Sequence, residues 1–288
     1  MSSLAAAFAA LTLAASAQGD PFAMRVGAAA LDDACGGLSA GERAALESGL
    51  AQSRREHLRR GVGGSDLIGW EARVRDDAAA IPCGSEQAEA VFATIRTAYR
   101  AWLAQPGADY PGPRRSWTVD RLAGEDRPWS VRQETTDARF GLAMTGNQAT
   151  ALLAGRSDTP PASAALVIRD TARAPRPVDA TAGGLLPPPG GEPLAAWGPP
   201  SGREARWWAN GSHPGSASAY APEGEGRAYA FAFPATALEA LAELEPREAA
   251  RIDLHARDGT RIGSVWMEAG LLRSALDFAS AGEPAASR

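Results

Sequence analysis

The sequence predicts an α+β protein in which a small helical domain precedes a β-rich domain. Two observations carry this prediction. Apolar residues recur at helical spacing three times between Leu38 and Gln105, and runs rich in Trp, Val, Phe and Ile, separated by Gly, Asp and Pro, come after them. The length of 288 residues suits two ordinary domains. An apolar fraction of 45% with 22% charged residues is enough to build buried cores.

The helical domain is predicted as a three-helix bundle within residues 18–110. The helices begin near Ser39, Ser65 and Ser85. Glu42, three residues after Ser39, has capping-box spacing, and Pro82 ends the second helix. The third helix has the clearest amphipathic pattern, with Ala88, Val91, Phe92, Ile95, Tyr99, Trp102 and Leu103 at i, i+3, i+4, i+7 spacing.

The only two cysteines, Cys35 and Cys83, precede the first and third of these helices. In an up-down-up bundle both cysteines lie at the same end, so we predict a disulfide between them. A redox-active pair would need a close motif such as Cys-x-x-Cys, which the sequence lacks. The predicted role is therefore structural.

Residues 1–17 are predicted to be a cleavable signal peptide. Leu4–Ala17 is an uncharged, alanine-rich run that ends in Ala15-Ser16-Ala17, which suits a signal-peptidase site. No Lys or Arg precedes this run, and a buried N-terminal helix is the alternative. The run is shorter than the roughly 20 apolar residues of a membrane span. We expect a periplasmic or secreted protein with no membrane span after cleavage.

The charge pattern narrows the possible partners. The net charge of −5 gives no reason to expect nucleic acid, whose binders carry basic patches. All 29 basic residues are Arg, so Schiff-base and phosphate-loop lysines are excluded. One basic stretch, Arg54–Arg60, surrounds His57. It either binds an anion or complements the dipole at a helix end.

The β-rich domain is predicted over residues 114–279, followed by a disordered tail at 280–288. The first candidate strands are Ser116–Arg121, Trp129–Glu134, Phe140–Met144 and Ala164–Arg169. A Pro- and Gly-rich insertion over 171–202 interrupts the domain, because such composition supports neither a helix nor a strand ladder. It is interpreted as a mobile insertion or linker, or as a polyproline ligand for a partner.

The segment Arg227–Phe278 is predicted to fold as strand–helix–strand–strand–helix. Tyr229, Phe231 and Phe233 alternate with small residues, and Asp258-Gly259 suits a two-residue type I′ hairpin turn between Arg251–Arg257 and Thr260–Met267. The segment resembles the C-terminal part of invasion-associated locus B-like envelope proteins. The residues that carry the resemblance are Phe233, Leu238, Leu241, Asp258, Gly259, Gly270, Leu271, Ala275 and Leu276. The resemblance implies a secreted, non-enzymatic protein and transfers no functional residues.

Motifs for catalysis, metals and cofactors are missing from the sequence. His57, His213 and His255 are far apart and have no metal-ligand spacing with other residues. Ser212 or Ser216 with His213 as base is conceivable, but no Gly-x-Ser-x-Gly elbow holds a serine. Three pairs of adjacent acids are interpreted as solvated surface, namely Asp32-Asp33, Asp76-Asp77 and Glu125-Asp126. We predict no catalytic residue, no metal site and no cofactor.

The predicted binding residues are Trp207, Trp208, Asn210, His213 and Tyr220. Adjacent tryptophans on a strand point to opposite faces, so one can pack in the core while the other is exposed. An exposed Trp beside a polar loop can stack on a sugar ring or a partner. Core packing of both tryptophans is the alternative.

The sequence thus favours a non-catalytic binding or interaction protein of the cell envelope. The expected partner is an envelope protein or a glycan. The alternative function is a hydrolase of an envelope polymer, with carboxylates that the order of the sequence cannot bring together. A purely structural envelope component is a third possibility.

Overall fold

The computed structural model of the protein describes residues 20–146, 148–177, 193–212 and 217–281. The predicted signal peptide, the centre of the Pro- and Gly-rich insertion, His213 and the last seven residues lie outside these ranges. Residues up to Gln105 form one compact unit and Pro106–Ala279 form a second. The predicted α+β class, with helices first and antiparallel sheets after them, is confirmed.

The first unit contains four described helices, which we number in chain order. They are α1 (Pro21–Cys35), α2 (Ala40–Arg59), α3 (Gly64–Ala79) and α4 (Glu86–Leu103). The three predicted helices correspond to α2, α3 and α4, and the capping box between Ser39 and Glu42 is present. Helix α1 is an addition to the predicted bundle. Across the described part of the chain, no helix is long and apolar enough to cross a membrane.

Helix α1 has local start and stop residues. Asp20 caps it by accepting a hydrogen bond from the Phe22 amide, Pro21 occupies its first turn, and Gly36 follows it with φ 64°. Most of its length is buried, from Phe22 to Asp32. The sequence analysis did not predict this helix, although Asp20, Pro21 and Gly36 are recognisable start and stop residues.

Cys35 and Cys83 form the predicted disulfide, with their Cα atoms 5.5 Å apart. It joins the end of α1 to the turn before α4. In the chain-entropy description, a bridge that closes a loop of 48 residues stabilises the fold by about 4 kcal/mol. The disulfide therefore ties together a unit whose cores are small clusters, such as that of Leu31, Ile81, Ala88 and Phe92.

The second unit contains two antiparallel sheets. The seven-stranded sheet has the order β1-β2-β3-β4-β5-β9-β8, and the four-stranded sheet has the order β11-β10-β6-β7. The strands are β1 (Gly107–Pro111), β2 (Ser116–Asp120), β3 (Trp129–Glu134), β4 (Ala138–Thr145), β5 (Gln148–Ser157), β6 (Ser163–Arg169), β7 (Glu204–Trp208), β8 (Gly211–Ser212), β9 (Arg227–Phe233), β10 (Ala249–His255) and β11 (Arg261–Glu268). Helices α5 (Ala217–Tyr220), α6 (Ala235–Ala242) and α7 (Leu272–Ser280) complete the described elements.

Every predicted strand is present, but the sequence analysis missed β1, β5 and the two-residue strand β8. Strand β5 is paired with β4 on one side and β9 on the other. Its residues are rich in Ala and Gly, which pattern analysis does not favour as strand residues. The structure explains one of these small residues, because a Cβ on Gly155 would lie 2.4 Å from the hydroxyl of Tyr229. Close packing across the pair, rather than propensity, determines this strand.

The β10–β11 hairpin is confirmed, but the predicted type I′ turn is wrong. Type I′ requires positive φ at both central residues of the predicted turn, Asp258 and Gly259, and Asp258 does not have positive φ. The Gly259 amide donates to the Ala256 carbonyl, Gly259 has φ 83°, and the pairing is irregular between Leu254 and His255. This is a longer loop with a bulge glycine.

The described ends of the predicted insertion are folded. Residues Pro193–Trp197 form a short 3₁₀ helix, and Ala174 and Leu194 are buried. Residues 178–192, which contain the Pro-Pro-Pro run, lie outside the described residues. The ordered flank continues past Gly198, where an added Cβ would come within 2.6 Å of the Trp266 ring.

Candidate binding surface

The four-stranded sheet has one apolar face and one charged face. In β10, Ile252 and Leu254 are on the apolar face, and Arg251, Asp253 and His255 alternate with them. The pairing register places residues of all four strands beside the latter three. We define the charged face by Glu204, Arg206, Trp208, Arg251, Asp253, His255, Arg261 and Ser264.

Trp208 lies across this face as an aromatic platform. Its backbone pairs with Ala165 of β6, and Ala165 pairs on its other side with Asp253 of β10. The Trp208 ring nevertheless lies 5.1 Å, centroid to centroid, from the His255 ring. Since β7 and β10 are two strand spacings apart, about 10 Å, the indole must extend over the small Ala165. Trp208 remains 50% exposed in this position.

His255 supports Trp208 from below. It is 8% exposed, and its Nδ1 lies 3.1 Å from the Gly259 carbonyl oxygen, to which it donates. Its Nε2 has no hydrogen-bond partner among the described residues. The hydrogen bond to the hairpin loop fixes the orientation of the His255 ring, and the Trp208 ring packs against that ring.

Asp253 is the centre of the charged face and is 2% exposed. Arg251 holds both of its oxygens, with Nε 2.7 Å from Oδ1 and Nη2 3.2 Å from Oδ2. The hydroxyl of Ser264 donates to Oδ1 at 2.9 Å. Two further guanidiniums are close, since Arg261 Nη1 is 3.5 Å from Oδ1 and Arg206 Nη2 is 3.9 Å from Oδ2.

These contacts determine the charge state of Asp253. Burial by itself would raise the pKa of this carboxyl group. The hydrogen bonds from Arg251 and Ser264, together with the positive charges of Arg251 and Arg261, outweigh burial and lower the pKa below its ordinary value of 3.8. Asp253 is therefore a carboxylate at neutral pH and holds the three arginines together.

Arg206 and Arg261 keep hydrogen-bonding capacity on the solvent side. Their side chains are 40% and 54% exposed, and neither donates a hydrogen bond to any residue in the described ranges. Arg206 also lies 5.9 Å from the centre of the Trp208 ring. With Glu204 and Asp253 as the acids, three guanidiniums face two carboxylates. The charged face thus carries one net positive charge, next to an exposed indole.

The structure separates the residues that the sequence grouped as a binding site. Trp207 is half-buried on the face opposite to Trp208, as the alternation of a strand requires. Asn210 is exposed just beyond β7. Tyr220 is buried against Trp129, and its hydroxyl donates to the Met144 carbonyl, so it belongs to the core of the seven-stranded sheet. His213 lies outside the described residues.

The basic stretch Arg54–Arg60, which the sequence singled out, contains arginines that form ion pairs with acids. Arg54 pairs with Glu71 at 2.6 Å and Arg60 pairs with Glu56 at 3.0 Å. These contacts favour the interpretation of a solvated helix surface over an anion site. Among the described residues, no group of three His, Cys, Asp or Glu side chains is placed to hold a metal ion.

A cleft of about 200 Å³ is present in the first unit. Residues of α1, α3 and α4 and of the turn between α3 and α4 line it, among them Gly27, Ala28, Val74, Ile81 and Ile95. Asp77 and Thr94 are its polar lining residues. A specific site normally combines apolar walls with converging polar groups. The charged face brings together more polar and charged groups than the cleft, whose polar lining is Asp77 and Thr94.

The sequence analysis missed most of the charged face, although one signal was present. Arg251, Asp253 and His255 alternate with Ile252 and Leu254, and a period of two places the first three on one side of a strand. The predicted β10–β11 hairpin also places Arg261 on the neighbouring strand. The contribution of Arg206 depends on the pairing of β6 with β10 and β7, which local patterns do not give.

Comparison with protein-family models, curated proteins and solved structures finds no significant match to this chain. The resemblance of residues 227–278 to invasion-associated locus B-like proteins therefore stays a prediction. The charged face has to be interpreted from its own chemistry.

Proposed function

We propose that the protein is a non-catalytic binding protein of the cell envelope, periplasmic or secreted, and that the charged face is its contact surface. The observation that carries this proposal is the half-exposed Trp208, which lies on His255 beside the exposed guanidinium of Arg206. Aromatic residues and arginines are the side chains that contribute most at recognition surfaces.

The location outside the cytoplasm is supported by the Cys35–Cys83 disulfide. Structural disulfides persist in oxidising compartments and are rare where thiols are kept reduced. Both cysteines of the chain are used in this bond. The alanine-rich run that ends at Ala17 is consistent with export.

A binding role is favoured over hydrolysis because the acids of the charged face are held by arginines. A general acid needs a pKa near the working pH, and the pKa of Asp253 is lowered instead. Glu204, the other acid, lies 3.5 Å from Arg251 and 3.9 Å from Arg206. Both acids of the charged face are therefore engaged by arginine side chains.

The test is expression of the full chain in a Gram-negative host, followed by fractionation and intact mass measurement. We expect the protein in the periplasmic extract, without its first 17 residues and with thiols that alkylate only after reduction. In a second step, washed cell envelopes are mixed with the purified protein and sedimented. We expect the wild type to co-sediment and Trp208→Ala to stay in solution.

Ile68→Ala is the matched control for this assay, because it also removes an exposed apolar side chain, in α3. It should co-sediment like the wild type. A full-length cytoplasmic protein with free thiols would refute the envelope location. Equal sedimentation of Trp208→Ala and wild type would refute the charged face as the contact surface.

A further inference from the structure

The geometry points to a carboxylate-bearing saccharide, such as a uronic acid unit of a polysaccharide, as the ligand of the charged face. This inference rests on the proposed function and specifies its ligand. Two features of the face have to be satisfied together, namely an open aromatic surface and hydrogen-bond donors that carry positive charge. A sugar ring with an attached carboxylate satisfies both.

The aromatic feature selects a flat ligand with polarised C–H bonds. The face of an indole is electronegative, so it attracts the C–H side of a sugar ring. Trp208 is suited to this role because His255 packs against the indole while half of its surface is exposed. A support that is already in place reduces the ordering cost that stacking would otherwise carry.

The charge feature selects an anion small enough to contact one or two guanidiniums. A guanidinium binds a carboxylate through parallel N–H donors. Arg251 is already used in this way by Asp253, whereas Arg206 and Arg261 contact Asp253 only at 3.9 Å and 3.5 Å. Their exposed N–H groups are therefore available to a ligand, and Asp253 keeps the two side chains close to the face.

The same features argue against nucleic acid, which also combines rings with anions. Binding of nucleic acid depends on many phosphate contacts. Here one net positive charge lies on a protein whose total net charge is −5. Nucleic acid needs several such contacts to bind, whereas a saccharide stacked on Trp208 needs only one carboxylate in contact with the guanidiniums.

The experiment is isothermal titration calorimetry of the purified, oxidised full chain with tetragalacturonate. The matched probe is the methyl ester of the same tetrasaccharide, which keeps the rings and removes the charge. Adenosine monophosphate is the third probe. We expect tetragalacturonate to bind at least about tenfold more tightly than the ester and than the nucleotide.

Variants test the two features separately. Trp208→Ala should weaken tetragalacturonate binding about tenfold, while Trp208→Phe should retain most of it. The double variant Arg206→Gln/Arg261→Gln should reduce the preference for the acid over the ester to about twofold or less. Arg127→Gln is the charge control, because Arg127 is exposed and pairs with Asp120 elsewhere in the second unit. It should change neither the affinity for tetragalacturonate nor the affinity for its methyl ester.

Failure of this inference differs from failure of the proposed function. Equal binding of acid and ester, tighter binding of the nucleotide, or binding that ignores Trp208 would each overturn the saccharide assignment. If Trp208-dependent sedimentation with envelopes persisted in that case, the binding role would stand and only its ligand would be wrong. Loss of both would refute the two proposals together.

Discussion

Two clusters of acidic and arginine side chains, Arg169–Glu248 and the group around Asp253, differ in how much of them is exposed to solvent. Arg169 and Glu248 form a pair that is 4% and 7% exposed at its side chains, with Nη2 2.8 Å from Oε2 and Nε bonded to Oε1. Arg169 also donates a hydrogen bond to the Ala174 carbonyl, and Glu248 accepts one from the Glu245 amide. In the second cluster Asp253 is equally buried, but two of its three arginines reach solvent.

The difference teaches how to separate structural charges from available ones. In the Arg169–Glu248 pair each charged group is satisfied within the protein, so removal of one partner leaves a buried charge. Around Asp253 the carboxylate is satisfied, while Arg206 and Arg261 keep exposed donors. The first cluster holds the sheet together, and the second also presents charge to a ligand.

The largest effect on stability is expected at the buried Arg169–Glu248 pair. Glu248→Leu should lower the free energy of unfolding by about 3–5 kcal/mol, because it leaves the Arg169 guanidinium buried and unpaired. Urea denaturation at pH 7 measures the loss. The double variant Arg169→Met/Glu248→Leu is the control and should recover much of it. A loss below about 1 kcal/mol for the single variant would show that the pair is not closed off from solvent.

Asp253→Asn should cost less, about 2 kcal/mol at pH 7, because the amide keeps one acceptor but loses the charge that holds Arg251. The effect depends on pH. The folded-state pKa of Asp253 is lowered, so its stabilisation is full above the unfolded-state value near 3.8 and is lost as the pH falls through the folded pKa. Unfolding curves of wild type and variant should therefore converge below pH 3.8. A constant gap down to strong acid would contradict this.

Ser264→Ala removes one hydrogen bond to Asp253 and should destabilise the protein by about 1 kcal/mol. The exposed strand residue Ser116 provides the comparison, and Ser116→Ala should change the free energy of unfolding less. Thermal unfolding of the two variants in parallel gives the difference. Equal values would mean that the hydrogen bond from the Ser264 hydroxyl to Asp253 does not contribute to stability.

The smallest effect on stability is expected for Arg206→Gln, within about 0.5 kcal/mol, because this side chain is exposed and lies 3.9 Å from its nearest acids. Chemical denaturation measures it. A loss as large as that of Asp253→Asn would place Arg206 among the structural charges and would remove the contrast between the two clusters.

Local patterns predicted much of the fold because they depend on neighbours in sequence. The capping box at Ser39, the amphipathic residues of α4 and the alternation of Tyr229, Phe231 and Phe233 each have a short-range cause. Strand β5 was missed because burial of consecutive residues on both faces removes the alternating pattern, and helix α1 was missed although its end residues are recognisable. Of the predicted binding residues, Trp208 is exposed and Tyr220 packs in the core, and ligand binding by Trp208 stays a prediction.

The sequence by itself determined the α+β class, the pairing of the only two cysteines and the opposite orientation of Trp207 and Trp208. These features follow from spacing and from the geometry of single helices and strands. The tertiary structure alone decided that β6 pairs with the other edge of β10 and that β7 completes the sheet. Arg206 is far from Asp253 in the sequence, so only the long-range pairing of β7, β6 and β10 brings these two charges within 4 Å, whereas Arg261 reaches Asp253 across the predicted hairpin.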